Sequence, residues 1–140
     1  MTVINFDQVC FAYKRQQEVI ADITFSLRAG EVAGLIGRNG AGKTTLMHIA
    51  MGMLHPNQGA VYVLGKDPVV NPVEVKQNIG FVSEDQILPV FLTVGEVLTL
   101  YQTLYELWDA PMAEQLLQQF DLNPSEKIRA LSKGQARQVA

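Results

Sequence analysis

The sequence is poor in the residues that build redox, metal and membrane-spanning sites. It has one cysteine, Cys10, so no disulfide can form within the chain, and this fits a reducing compartment. We interpret Cys10 as a small core hydrophobe. The two histidines, His48 and His55, have no partner at metal-site spacing. No apolar run approaches the roughly 18 residues that cross a bilayer, so the sequence predicts no direct membrane span.

Basic residues are also scarce. Lys and Arg number 11 against 14 Asp and Glu, which gives a formal net charge of −3. The sequence therefore has no basic stripe of the kind that binds nucleic acid, and no polybasic run for lipid headgroups. The 140 residues are 48% hydrophobic, which fits a soluble globular domain or part of one. We expect no nucleic-acid partner.

Residues 37–44 carry the most informative pattern in the chain. They fit the phosphate-binding loop: Gly, four residues, Gly, Lys, then Ser or Thr. Glycines let consecutive backbone N–H groups curl around phosphate oxygens, the lysine adds a positive charge, and the hydroxyl can reach a bridging Mg²⁺. The residues of the loop, with the threonine that follows, are Gly37, Arg38, Asn39, Gly40, Ala41, Gly42, Lys43, Thr44 and Thr45.

The flanking sequence supports this interpretation over a chance match by a glycine-rich turn. Residues 31–36 predict a buried strand, and residues 45–54 predict a helix that is apolar on most faces. A strand, a loop and a buried helix, in that order, form the context that the motif requires. The helix N-terminus also favours anions through its dipole.

The remaining pattern mixes strands and helices. Alternating and apolar runs predict strands at residues 3–13, 19–28, 60–64 and 79–83. Apolar residues at helical spacing predict helices at residues 93–108 and 111–120, with a shorter helical segment at 73–78. Ser132 is suited to cap a final helix that runs to the end.

Three further features join the phosphate-binding loop and point to one family. Residues 131–135, Leu-Ser-Lys-Gly-Gln, resemble the signature sequence of ATP-binding-cassette (ABC) transporter ATPases, with Lys133 where Gly is usual. Tyr13 follows the first predicted strand, where that family places an aromatic residue. Residues 79–84 resemble the strand that enters the family's Q-loop. The chain thus resembles the N-terminal part of an ABC transporter ATP-binding subunit, similar to exporter-type members.

The resemblance implies an α/β fold. It would be a P-loop NTPase core of the ABC type with an antiparallel β-subdomain and a helical subdomain. Residues 1–140 would form a partial nucleotide-binding domain, with the β-subdomain and core at about residues 1–84 and the helical subdomain at about 85–140. The chain ends at Ala140, before the Walker B strand and its catalytic glutamate would follow. We therefore expect no catalytic residue within it, and no activity from it alone.

The resemblance also implies ligands and roles. Residues 37–45 would hold the phosphates of ATP with Mg²⁺, and Tyr13 would stack on adenine; the alternative for Tyr13 is a core aromatic at a strand end. The signature would contact the γ-phosphate held by a second ATPase subunit, in a homo- or heterodimer. The alternative is an ordinary capped helix. The signature residues concerned are Ser132, Lys133, Gly134 and Gln135.

Glu84 departs from the family pattern, because the Q-loop usually carries Gln. A carboxylate adds negative charge near the γ-phosphate, so metal binding and its pH response would change. With the Thr44 hydroxyl, Glu84 is a candidate Mg²⁺ ligand.

The family resemblance implies a transmembrane permease subunit as partner. The apolar residues Ile87, Leu88, Val90 and Phe91 would form a docking patch for it, unless they are buried in the helical subdomain. The chain would then be cytoplasmic, on the inner face of the cell membrane.

Three functions are compatible with these features. The first is the ATPase of an exporter, active when complete. The alternatives are a truncated ATP-binding module without hydrolysis, and a soluble ABC protein of translation or DNA repair. The acidic charge and the lack of duplicated cassettes disfavour the last.

Overall fold

The computed structural model describes residues 1–14, 18–83 and 88–140. The chain divides into two compact units, Met1–Asn78 and Ile79–Ala140. The first unit combines a sheet with short helices, and the second is helical. The α/β class with an antiparallel β-unit and a helical unit is the one expected from the sequence.

Three strands form the sheet of the first unit: β1 at Thr2–Ala12, β2 at Glu18–Arg28 and β3 at Gln58–Val63. Their order is β2-β1-β3, and both pairings are antiparallel. Phe6 lies opposite Phe25 on one side and Val61 on the other. Along β2, partly buried and exposed residues alternate from Ile23 to Arg28, as the period of a strand requires. The predictions for these three strands are confirmed, with ends shifted by one or two residues.

The core of the first unit lies against this sheet. The rings of Phe6 and Phe25 stack with centroids 4.7 Å apart. Helix α1, Lys43–Ala50, contributes buried Leu46 and Ile49, which lie three residues apart on one helix face. Helix α2, Pro72–Gln77, buries Val75 and begins with a proline, as the first turn of a helix allows.

Two predicted strands do not form. Residues 31–36 and 79–83 have no strand structure, and Val32 and Ile36 are 99% and 98% exposed. A strand is stabilised by a ladder of hydrogen bonds to a neighbour, and neither segment has such a neighbour among the described residues. The prediction of a buried strand before the phosphate-binding loop is therefore wrong for this chain.

The described residues of the second unit form three α-helices: α3 at Val94–Leu104, α4 at Ala110–Gln119 and α5 at Lys133–Val139. A 3₁₀ turn, Ile128–Ala130, precedes α5. Its apolar core is a cluster contributed by the helices and their connecting segments: Leu88, Val94, Val97, Leu122, Ile128 and Val139. The prediction for α4 is confirmed within one residue, and α5 does begin directly after Ser132.

Helix α3 is shorter than the sequence predicted. It ends at Leu104, and Tyr105 has extended backbone angles of φ −111° and ψ 115°. The Asp109 carboxylate accepts a hydrogen bond from the Met112 N–H and caps α4, which starts at Ala110. The chain must turn between the two helices, and it does so over the last four residues of the predicted helix.

A capping box fixes the start of α3. The Thr93 hydroxyl accepts from the Glu96 N–H, and the Glu96 carboxylate accepts from the Thr93 N–H at 2.7 Å. These hydrogen bonds with Thr93, the backbone one foremost, hold the pKa of Glu96 below its ordinary value of 4.5 against the opposing effect of burial, and the charge of Lys127 adds to the lowering. The capped turn is therefore stabilised by the charged form of Glu96.

The apolar stretch before α3 is split between the core and the surface. Leu88 is buried in the core cluster, which corrects its assignment to an exposed docking patch. Val90 and Phe91 are exposed, and Ile87 lies outside the described residues. Leu88 belongs to the same buried cluster as Val94 and Val97. Among the helices that the structure describes, none has the length and apolarity to cross a bilayer.

Candidate functional site: a phosphate-binding loop

The predicted loop forms an open turn in front of α1. Residues 37–41, which include Arg38, Asn39 and Ala41, are all exposed. The Ala41 N–H donates to the Arg38 carbonyl at 3.1 Å and closes a turn. Gly40 and Gly42 have φ of +83° and +86°, in the left-handed region that glycine adopts without strain. The glycine spacing of the motif thus matches the backbone that the loop requires.

Gly42 is needed for space as well as for its backbone angles. A Cβ atom at this position would lie 2.7 Å from Ile20 Cδ1 and 3.0 Å from the Val19 carbonyl oxygen. The loop therefore rests against the start of β2, and only a residue without a side chain fits there. Val19 and Ile20 support the loop from behind, a role that the sequence pattern did not indicate.

The N-terminus of α1 has no side-chain cap. Gly42 is its N-cap residue, so no side-chain hydrogen bond caps it, and the first turn carries no acidic residue. The Leu46 N–H donates to the Gly42 carbonyl and starts the helical ladder. The preceding N–H groups of the first turn have no partner within the helix, so they and the helix dipole favour an anion at this end.

Lys43 folds back over the loop. Its ammonium donates to the Gly37 carbonyl at 2.7 Å and to the Arg38 carbonyl at 2.9 Å. The Nζ atom is thereby held beside the open helix end, where a phosphate oxygen would meet both the ammonium and the backbone N–H groups. The position of Nζ is compatible with the role that the motif predicts for Lys43.

The two threonines after Lys43 have different surroundings. Thr44 is exposed at the mouth of the loop, whereas Thr45 is buried. The Thr45 hydroxyl and the Tyr13 hydroxyl are 3.2 Å apart and share a hydrogen bond. Tyr13 is therefore brought beside the phosphate-binding loop, although 32 positions separate it from Thr45. The family resemblance implies that both residues bind ATP, but the sequence does not predict their contact.

An Mg²⁺ ion would fit this site only through oxygen ligands. The Thr44 hydroxyl is the protein oxygen at the loop mouth that suits it, and no cluster of metal-ligating acidic, histidine or cysteine residues exists in the described part of the chain. Glu84, the other candidate ligand, lies outside the described residues. The exposed Thr44 position is compatible with a metal that is also held by phosphate oxygens.

The signature residues lie at the start of α5 and are organised by a second capping box. The Ser132 hydroxyl accepts from the Gln135 N–H at 3.2 Å, and the Gln135 side-chain oxygen accepts from the Ser132 N–H at 3.0 Å. Ser132, Lys133 and Gly134 are exposed, and Gln135 is partly buried. A Cβ on Gly134 would meet only the Ser132 hydroxyl, at 3.9 Å, so this turn is open toward solvent.

Comparison with known proteins identifies the family. The sequence model of the family described as "ABC transporter" matches residues 20–140. The ABC transporter ATP-binding protein NatA of Bacillus subtilis is 43% identical over 67 residues, which are 48% of this chain and 27% of that protein. The lipopolysaccharide export system ATP-binding protein LptB of Haemophilus influenzae is 27% identical over 99% of this chain and 61% of its own length.

A solved structure agrees with both. The structure titled "Structure of ATP binding subunit of ABC transporter" has a TM-score of 0.89 and 30% identity, and the match covers 99% of this chain and 59% of that one. The chain therefore belongs to the ABC transporter family and corresponds to its ATP-binding subunits. It spans 61% or less of the length of these relatives.

Proposed function

We propose that this chain binds ATP with Mg²⁺ at residues 37–45 and contributes to the ATPase subunit of an ABC exporter. The observation that supports this most is the start of α1. It combines an N-terminus without a side-chain cap with a lysine ammonium fixed beside it by two carbonyl oxygens. Both features suit the triphosphate of a nucleotide.

Tyr13 is the proposed adenine platform. Tyr13 is 40% exposed, while its hydroxyl reaches Thr45 next to the loop. An aromatic face open to solvent beside a phosphate site suits a purine base, since stacking adds favourable contact area. We further propose that Thr44, with Glu84, holds the Mg²⁺ ion that neutralises the phosphate charge.

The signature is proposed to act on ATP held by a second copy or a related subunit. The Ser132 hydroxyl accepts one hydrogen bond from Gln135 and so keeps its own O–H to donate. Lys133 and Gly134 are exposed beside it. A donor hydroxyl and a cation on an open turn suit a γ-phosphate, and Gln135 keeps that turn in shape.

Hydrolysis, export and the partners belong to the proposal for the whole subunit. The name of the similar LptB protein includes an export system, which supports the outward direction. Exposed Val90 and Phe91, together with Ile87, are the proposed patch that docks a transmembrane permease subunit. We propose a cytoplasmic position at the inner face of the membrane, and a division near residues 84–85 into a β-containing part and a helical part.

The nucleotide site is tested by Lys43→Ala in the purified protein. We expect ATP affinity to fall by about 100-fold, because a charge-assisted contact to phosphate is worth roughly 2–3 kcal/mol. The measurement is isothermal titration calorimetry with ATP and Mg²⁺. The matched control is Lys76→Ala, an exposed lysine on α2 in the same unit, for which we expect the affinity of the wild type. Equal binding by wild type and Lys43→Ala would refute the assignment.

A further inference from the structure

Tyr13 is held from two directions by contacts within the chain. Its ring meets the Phe11 ring edge-on, with centroids 4.9 Å apart and planes at 87°. Its hydroxyl shares the hydrogen bond with Thr45. Phe11 and Tyr13 lie two positions apart at the end of β1, so both rings are on the same side of the chain. The two contacts fix both the tilt of the Tyr13 ring and the position of its far end.

The hydrogen bond with Tyr13 satisfies the buried hydroxyl of Thr45. Its side chain is 7% exposed, and a buried hydroxyl without a partner costs free energy. The Tyr13 hydroxyl provides that partner, and the described part of the chain has no buried side-chain polar atom without a hydrogen bond. Thr45 lies on the first turn of α1, the helix that begins at the phosphate-binding loop. The contact thus joins the proposed base platform directly to the phosphate-binding element.

We infer that Thr45 is a positioning residue for base recognition: its hydroxyl holds the Tyr13 ring in place for the adenine of ATP. The inference rests on the proposed function. A ring already held in place loses less rotamer freedom when the base arrives, so more of the stacking energy appears as affinity. The role of Tyr13 therefore depends on its hydroxyl as well as on its ring, and that dependence passes through Thr45.

A packing role for Tyr13 would give a different pattern. A core aromatic at a strand end would depend on its ring and its contact with Phe11, both of which Tyr13→Phe keeps. A positioning role depends on the pair of hydroxyls. Tyr13→Phe should therefore weaken ATP binding only while residue 45 carries a hydroxyl to which Tyr13 can bond.

The test measures the effect of Tyr13→Phe on ATP affinity in three backgrounds at residue 45: wild type, Thr45→Ser and Thr45→Val. We expect about a fivefold loss in the first two and less than a twofold loss in the third, since one neutral hydrogen bond contributes about that much. Inorganic tripolyphosphate serves as a second probe. Because it has no base, Tyr13→Phe is expected to weaken its binding less than that of ATP.

Far-ultraviolet circular dichroism of each variant establishes that the comparison is made between folded proteins. The same fold-loss in all three backgrounds, or an equal loss for tripolyphosphate and ATP, would overturn the positioning role. If the wild type binds ATP and Lys43→Ala does not, the nucleotide site stands, and either of these contradicting results concerns the positioning role of Thr45 alone. Failure of the wild type to bind ATP overturns the proposed function, and the inference with it.

Discussion

The starts of α1 and α5 are both proposed to meet the phosphates of ATP, yet they are built in opposite ways. At α1 the N-cap residue is Gly42, and no side chain caps the helix. At α5 the serine of the signature and Gln135 cap each other through a reciprocal pair of hydrogen bonds. The first end leaves its backbone N–H groups open to a ligand, whereas the second satisfies its own.

This difference indicates which atoms each end offers. The uncapped start of α1 offers backbone N–H donors to a ligand. The shape of the loop in front of it depends on glycines and on Lys43 rather than on a capping side chain. A capped helix offers its exposed side chains, here the Ser132 O–H and the Lys133 ammonium. The α1 end is therefore suited to holding a phosphate group tightly, and the α5 end to adding a contact on a phosphate held elsewhere.

The largest effect is expected from Gly42→Ala, which tests whether the start of α1 depends on a residue without a side chain. The new Cβ would collide with Ile20, and the alanine would have to adopt a left-handed backbone conformation. We therefore expect the free energy of unfolding to fall by about 2–4 kcal/mol. Urea denaturation measures it, and the ATP affinity should fall as well. The control is Gly34→Ala, where a Cβ meets nothing within 4 Å, with an expected change of at most about 0.5 kcal/mol. Similar losses in both variants would show that the support from β2 is unimportant.

Substitutions at Ser132 separate its cap from its proposed contact with phosphate. Ser132→Ala should cost about 1 kcal/mol of stability, because the N-cap is lost. Ser132→Asp should keep the cap but place a negative charge against the γ-phosphate. We expect both variants to reduce ATP-driven dimerisation, measured by analytical ultracentrifugation, with Ser132→Asp more stable than Ser132→Ala.

The capping box of α3 provides the matched control for these variants. Thr93→Ala removes a cap of the same chemistry in the same unit, so its cost in stability should also be about 1 kcal/mol. It should leave ATP-driven dimerisation intact. If Thr93→Ala impairs dimerisation as much as Ser132→Ala does, the effect at Ser132 is one of stability and the in-trans role is contradicted.

The smallest expected effect concerns the pH dependence of the α3 cap. The pKa of Glu96 is lowered in the folded chain, so its charged form stabilises the fold at pH values above the unfolded value of 4.5. This stabilisation is lost as the pH falls through the lower, folded pKa. Glu96→Gln should be slightly less stable than wild type at pH 7, and the difference should vanish below that folded pKa. Chemical denaturation at both pH values measures it. A gap that widens in acid would contradict the assignment.

Local chemistry is what made parts of this structure predictable. The residue spacing from Gly37 to Thr44 requires left-handed backbone at glycine, and the structure has it at Gly40 and Gly42. Ser132 is predicted to cap the final helix, and in the structure it is the N-cap of α5, within a capping box that also includes Gln135. In both cases the stabilising contacts join residues that are close in sequence, so a short sequence pattern is enough to predict them.

Features that depend on distant residues were not predictable in the same way. Residues 31–36 have the composition of a strand but pair with no neighbour in the described chain, and composition cannot supply one. The bond between Tyr13 and Thr45 joins positions far apart in sequence. Leu88 has the composition of a surface docking residue in the sequence, but in the structure it is buried in the core cluster of its unit.

The carbonyl contacts of Lys43 have a consequence for the loop itself. The same ammonium that is proposed to meet phosphate also ties Gly37 and Arg38 together. The shape of the loop is thus maintained by a cation that bridges two of its carbonyls, in addition to the support from Val19 and Ile20. If the chain binds nucleotide as proposed, the Lys43 ammonium must exchange these backbone oxygens for phosphate oxygens, so phosphate binding and release of the two loop carbonyls would be coupled.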